Sequence, residues 1–200
     1  VFADGTRLDE LEEVVAAGPH DEERYARAIL GMSKEVYELI VDPLGRETST
    51  LTEVSRWLGV EDIVAIELQQ LLKQTGLERD QLEKLLASPF FQEKGIATIR
   101  LAQEPGDQLN QFTEYLDTSA LTSRDRTVFF DRLHRLLRLQ PFTTFSLEEL
   151  SFLLQAFNQW QGTQQIINAD AVRWVSTFEQ LRKWWEFHPE VLAAFWGVIA

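Results

Sequence analysis

Cysteine is absent from the 200-residue chain, so it can form neither a disulfide nor a thiolate nucleophile, and any zinc site would need histidine and carboxylates alone. Histidine is scarce too. His20, His134 and His188 stand far apart, no HExxH spacing occurs, and neither a metal nor another cofactor is expected. The ten glycines are scattered and make neither GxGxxG nor GxxxxGK[ST], which removes the common phosphate-cradling loops; a GxSxG nucleophile elbow is also missing. Basic residues are outnumbered, 19 against 32 acidic, for a net charge of −13. Phosphate neutralisation needs clustered Lys and Arg, so nucleic acid and anionic lipid are not expected partners. The longest apolar run, Val191 to Ala200, is too short to span a bilayer, and membrane contact is expected only through other parts of a parent chain. The opening VFADGTRLDELEEVV lacks the basic start and apolar core of a signal peptide, and it begins with valine, as a piece of a longer protein would.

What is present suits a globular protein: 44% hydrophobic residues, 26% charged, and six tryptophans that call for burial. A chain of this length makes one domain or two small ones and buries roughly 70% of its unfolded surface. Its negative charge is uneven. Residues 1–90 hold 19 acids and 9 bases (19 − 9, net −10), and residues 91–200 hold 13 and 10 (net −3), which marks a solvated acidic surface on the first half. Lack of cysteine fixes no compartment; it suits the cytosol and large exported bacterial proteins alike.

Helical periodicity dominates. Leu8, Leu11, Val14 and Val15 form one stripe that Gly18-Pro19 ends, and Tyr25, Ala28 and Ile29 form a second that Gly31 stops. Thr50 with Glu53, Ser146 with Glu149 and Ser176 with Glu179 fit capping boxes. Ile63, Ile66, Leu71 and Leu72 predict a long helix closed by Gly76, Ser88-Pro89 predicts a helix start, and Thr122 to Leu139 predicts a strong helix ended by Pro141. GIATIRLAQ (95–103), the turn-like EPGD (104–107) and QFTEYLD (111–117) instead predict two short strands. The expected fold is mainly α, an irregular multi-helix bundle of helix-turn-helix units with a small β-hairpin near residues 96–117. It divides into helical parts at 1–94 and 122–200 around an irregular insertion at 95–121. A turn-plus-helix unit recurs unevenly: Met32, Leu77 and Phe145 align, as do Tyr37, Leu82 and Leu150, and Ile40, Leu85 and Leu153. Any stapled amphipathic helix would give the same pattern.

His134 is the natural suspect for chemistry. On a helical wheel Phe129, Leu133, Leu136 and Leu137 share the buried face, Asp131, Arg135 and Arg138 point away, and His134 falls on the edge. A general base needs an orienting partner and a nucleophile or water in reach; Asp131 and Arg138, one turn either side, serve helix pairing equally well. His134 therefore reads as a boundary residue with a structural hydrogen bond. The arginines Arg124, Arg126, Arg132, Arg135 and Arg138 are the basic concentration of an acidic chain, and pairing with carboxylates of adjacent helices or subunits is expected. Trp160, Trp174, Trp184, Trp185 and Trp196 cluster late. They suit a packed helix–helix core or, through Trp174, Trp184 and Trp185, an interface. The adjacent pair points about 100° apart on a helix, so one can be buried while its neighbour lies at the rim.

The stretch FFDRLHRLLRLQPFTTFSLEELSFLL (129–154) resembles the helical region of the large A subunit of bacterial Tc (toxin complex) insecticidal toxins. Asp131-Arg132-Leu133-His134-Arg135-Leu136-Leu137-Arg138-Leu139 matches that family's Asp-Arg-[LI]-His-Arg signature, and Phe145-Ser146 with Glu149-Leu150 matches the acidic helix start after it. Upstream, LQQLLKQTGLERDQLEKLLASPFF (68–91) looks like the family's helix–TGL–helix unit, so the resemblance covers roughly residues 60–157. The chain departs where the family usually has a tryptophan and basic residues: it has Gln140-Pro141-Phe142, which implies a reshaped joint.

That resemblance implies a non-enzymatic structural segment of a secreted, extracellular virulence protein. It would be part of the helical shell around the channel of a pore-forming, homopentameric translocation subunit that works with other toxin-complex subunits, meets a host receptor, and opens on a pH or receptor trigger. Asp131, Arg132, His134, Arg135 and Arg138 would pair helices, and Ser146 with Glu149 would cap one. The rival expectation is a helical interaction module that binds a partner through its Trp-rich C-terminal third.

Overall fold

A computed structural model describes residues 22–41, 51–60, 63–92, 97–103, 112–162 and 167–194. Among them the chain forms nine α-helices and three short strands, the mainly α architecture that the periodicity implies. The first stripe (Leu8 to Val15), the Thr50 cap and the EPGD turn lie outside the described residues.

Helices α1 (Glu22–Leu30) and α2 (Lys34–Val41) meet at Gly31, whose φ of 64° ends the first helix as expected. Helix α3 (Leu51–Leu58) follows. Strand β1 (Ala65–Glu67) then runs directly into α4 (Leu68–Thr75), which Gly76 closes in the left-handed region at φ 71°. The long helix expected from Ile63 is thus corrected: its first residues form a strand. Ile63 and Ile66 lie three apart, a spacing that fits a helix face, but Ile66 alternates with exposed Ala65 and Glu67 and pairs with Leu116.

Helix α5 (Arg79–Ala87) ends at Ser88. Ser88-Pro89 therefore marks a helix stop and not the expected start, because proline is as common just past a C-terminus as at a first turn. The following turn buries Phe90 and Phe91, which begin an edge-to-face series: Phe90–Phe91 at 5.2 Å, Phe91–Phe129 at 5.5 Å and Phe129–Phe130 at 5.0 Å.

Strands β2 (Thr98–Gln103) and β3 (Phe112–Asp117) form the expected antiparallel pair, and β1 adds to the other side of β3, giving the order β1-β3-β2. Leu116, opposite both Ile66 and Ile99, is fully buried at the centre. Thr118 fastens the sheet's end, its N–H and hydroxyl donating to the Val64 and Ile63 carbonyls at 2.8 Å each.

Helix α6 (Ser123–Leu139) starts at the Thr122 cap and passes into a 3-10 turn, Gln140–Phe142, where Pro141 ends regular helix. Helix α7 (Leu147–Gln161) begins with the capping box expected at Ser146 and Glu149. Helix α8 (Ala169–Trp185) is capped by Asn168, so the Ser176–Glu179 box is corrected: both residues lie mid-helix and buried. Helix α9 (Pro189–Ala194) closes the described chain. All three positions of the recurring unit are core: Met32, Leu77 and Phe145, then Tyr37, Leu82 and Leu150, then Ile40, Leu85 and Leu153 are buried in one contiguous apolar cluster.

Candidate functional site

Helix α6 occupies the middle of the molecule, and its motif residues face inward. Phe129, Phe130, Leu133, Leu136 and Leu139 are buried, as the apolar stripe requires, while Leu137 is only half-buried. Asp131 and Arg135, expected to point away, are buried as well. The wheel failed because α6 is packed on several sides: α2 and α3 lie on one flank, and α7 and the Phe90 turn on others.

Arg135, 1% exposed, is the most enclosed of these charges. Its Nε lies 2.8 Å from Asp131 Oδ2, one helical turn back. Its Nη1 donates to the carbonyls of Ile40 (3.2 Å) and Val41 (3.0 Å) at the end of α2, and of Ile167 (3.1 Å) before α8. The last carbonyls of a helix have no partner within it, so a cation here fills both a hydrogen-bonding and a dipole requirement. Arg132 donates to the Phe90 carbonyl (3.3 Å) and lies over the Phe90 ring at 5.9 Å. Arg126 donates to the carbonyls of Thr118 (3.2 Å) and Leu121 (3.1 Å). Among the described residues Arg126, Arg132 and Arg135 thus fasten backbone carbonyls, which the sequence did not suggest, and Arg135 also pairs with Asp131 of its own helix.

His134 makes no hydrogen bond among the described residues, contrary to expectation. Its ring instead lies against Trp57 of α3, with centroids 4.1 Å apart and planes at 35°. Burial pushes its pKa down to about 4, with Arg138 and then Arg135 adding repulsion, so the imidazole is neutral at pH 7. Arg138 is half-buried, and its Nη1 finds no acceptor among the described residues. Among the described residues no cluster of His and carboxylates has metal-binding geometry.

A second polar cluster joins α7 to the end of α8. The Ser146 N–H donates to Glu149 Oε2 (2.8 Å), and the Glu149 N–H donates back to the Ser146 hydroxyl (3.2 Å). The same Glu149 oxygen takes Arg182 at 3.0 Å, and the Arg182 guanidinium lies 4.8 Å over the Phe145 ring. Burial opposes ionisation of Glu149, but the Ser146 N–H and Arg182 outweigh it and hold the carboxyl below its ordinary range. Glu179, fully buried, accepts from the Thr144 N–H (2.9 Å) and hydroxyl (3.2 Å) and faces Lys183 at 3.3 Å. Beside this cluster opens a shallow cavity of about 450 Å³, lined by Thr144, Arg182, Lys183, Glu186, Phe187 and His188.

The aromatic corner is next to it. Trp184 is 65% exposed and Trp185 57%, so neither is the buried member that the 100° offset suggested. The helix ends between them and Phe187: Glu186 takes the left-handed φ of 54°, and its N–H caps the Arg182 carbonyl at 2.8 Å. The indoles meet edge to face at 5.6 Å, and Trp185 stacks with Phe187 at 5.8 Å. Trp174 sits apart, half-buried between Phe178 and Trp160.

Against known proteins, no family model matches the chain, and neither the curated proteins nor the solved structures yield a significant match. No helix among the described residues is long and apolar enough to cross a membrane. Sequence reasoning missed Thr144 and Arg182, took Glu179 for a capping residue, and did not foresee that Trp57 meets His134. Only Arg182 carried a usable signal, in its place in the last turn of a helix.

Proposed function

We propose that the chain is a non-enzymatic helical scaffold segment, of the kind that builds the shell around the channel of a secreted, homopentameric toxin-translocation subunit. The observation that carries this reading is Arg135. The signature residue of the resembling motif is enclosed, ion-paired to Asp131, and bonded to carbonyls before and after it in the chain. Arg132 and the Ser146–Glu149 box are fasteners in the same way. His134, packed against Trp57 and kept neutral, supports a packing role over proton transfer. Partner toxin-complex subunits and a host receptor belong to the same proposal. The native mass of the intact parent chain, measured with negative-stain images of the same sample, tests it. Five-fold, channel-bearing particles are expected, and a monomer without such a shape would remove the shell reading.

One observation favours a second reading, a helical interaction module. Trp184 and Trp185 leave a helix end with most of their surface in water, where tryptophan is costly unless something covers it. An adaptor would lose partner binding on substitution of these two residues with its fold intact.

A further inference from the structure

We propose that the Trp184–Trp185 corner is a docking site for a basic segment of a partner protein, whose arginine or lysine side chains lie over the exposed indoles and pair with Glu186 and Glu190. The inference rests on the reading of that corner as an interface and adds the chemistry of what it binds.

Charge selects the occupant. Two cations stand at the end of α8, but both are neutralised from within: Arg182 by Glu149 at 3.0 Å and Lys183 by Glu179 at 3.3 Å. Two anions remain. Glu186, held outward by its left-handed backbone, and Glu190, in the first turn of α9, are exposed and have no ion pair among the described residues. With its two cations so paired, the chain from Arg182 to Glu190 is left with net negative charge next to the exposed Trp184 and Trp185, in a protein whose net charge is −13. The same acidic corner of a second copy, or an anionic lipid surface, is repelled at this site, whereas a cationic segment is attracted. Indole faces are the best aromatic partners for guanidinium and ammonium groups, within about 6 Å of the ring centroid. The edge-to-face contact at 5.6 Å and the Phe187 stack each take part of an indole, but Trp184 and Trp185 still keep 65% and 57% of their surface exposed for a cation.

The test is a titration of the full chain with a short alternating arginine–glycine peptide, read by tryptophan fluorescence and calorimetry, beside a glutamate–glycine peptide. The basic peptide should bind, Trp184→Ala/Trp185→Ala should weaken it about tenfold or more, and Glu186→Gln/Glu190→Gln should weaken it and flatten its salt dependence. Equal binding by the tryptophan variant would reduce the effect to general attraction by an acidic chain and overturn the proposal. Tryptophan-dependent binding of the acidic peptide, or tryptophan-dependent self-association in sedimentation, would overturn it while leaving the interface reading in place. Binding of neither peptide, with tryptophan-dependent attachment to phosphatidylcholine vesicles, would overturn both.

Discussion

Removal of the Arg135 side chain tests most directly what holds this molecule together. Arg135→Ala takes the Nε partner away from the nearly inaccessible Asp131 carboxylate, and breaking a buried pair from one side costs about 3–5 kcal/mol. It also removes the donor shared by the carbonyls of Ile40, Val41 and Ile167, and a buried polar group left unpaired costs about 1–3 kcal/mol. These terms overlap, since water entering the gap serves both, so a loss of about 4 kcal/mol is expected. With a urea slope near 2 kcal/mol/M, the unfolding midpoint moves down by about 2 M. The informative companion is Asp131→Leu/Arg135→Met. Replacing a buried ion pair by apolar side chains is often neutral, so this double variant should recover the ion-pair part but keep a deficit of about 1–3 kcal/mol from the orphaned carbonyls. Circular dichroism at equilibrium in urea measures both. A change below about 1 kcal/mol for Arg135→Ala would refute the fastening role, and full recovery by the double variant would refute the carbonyl part of it.

Further outcomes follow from the other clusters. The folded state holds His134 down to about 4, so it favours the neutral ring; stability is complete above pH 6.5 and falls as pH drops from 6.5 to 4. After discounting for its partial exposure, about 1–2 kcal/mol should be lost across that window, and His134→Phe should flatten that part of the pH–stability curve; an unchanged slope would refute the burial argument. Glu149 behaves oppositely as an acid held low, stabilising at neutral pH and losing its contribution only in acid; Gln can keep the capping box, so after solvent screening Glu149→Gln should cost about 0.5 kcal/mol at pH 7 and less in acid, measured by thermal melts. Trp184→Ala/Trp185→Ala should change stability by less than about 0.5 kcal/mol, whereas Leu136→Ala should cost about 2–5 kcal/mol. Similar losses for the two would make the tryptophans core residues.

Legibility from sequence followed the density of independent signals. Ser146 and Glu149 were readable because both halves of the capping box are local, and the alternation in GIATIRLAQ and QFTEYLD exposed the β2–β3 hairpin, whereas β1, only three residues long, was hidden in a helical spacing. Ser176–Glu179 has the same spacing but stands mid-helix, because the Asn168 cap starts α8 eight residues earlier. The burial of Asp131 and Arg135 was not readable, since a wheel assumes one apolar face and one wet face, while α6 is enclosed by segments far away in sequence. The same limit hid the Trp57–His134 contact. Exposure of Trp184 depends on what does not pack over it, which no local pattern encodes.

Arg135 also bears on whether the chain can be divided. Its terminal nitrogen reaches carbonyls 95 and 94 residues earlier and 32 residues later. A cut in the 95–121 stretch, inviting because it separates two helical parts, would leave the end of α2 without its donor in one piece and Asp131–Arg135 with an open flank in the other. Assembly of α6 must therefore wait for distant parts of the chain, which makes folding slower than its helical content suggests. Any useful dissection has to keep α2, α6 and the Ile167 turn in the same piece.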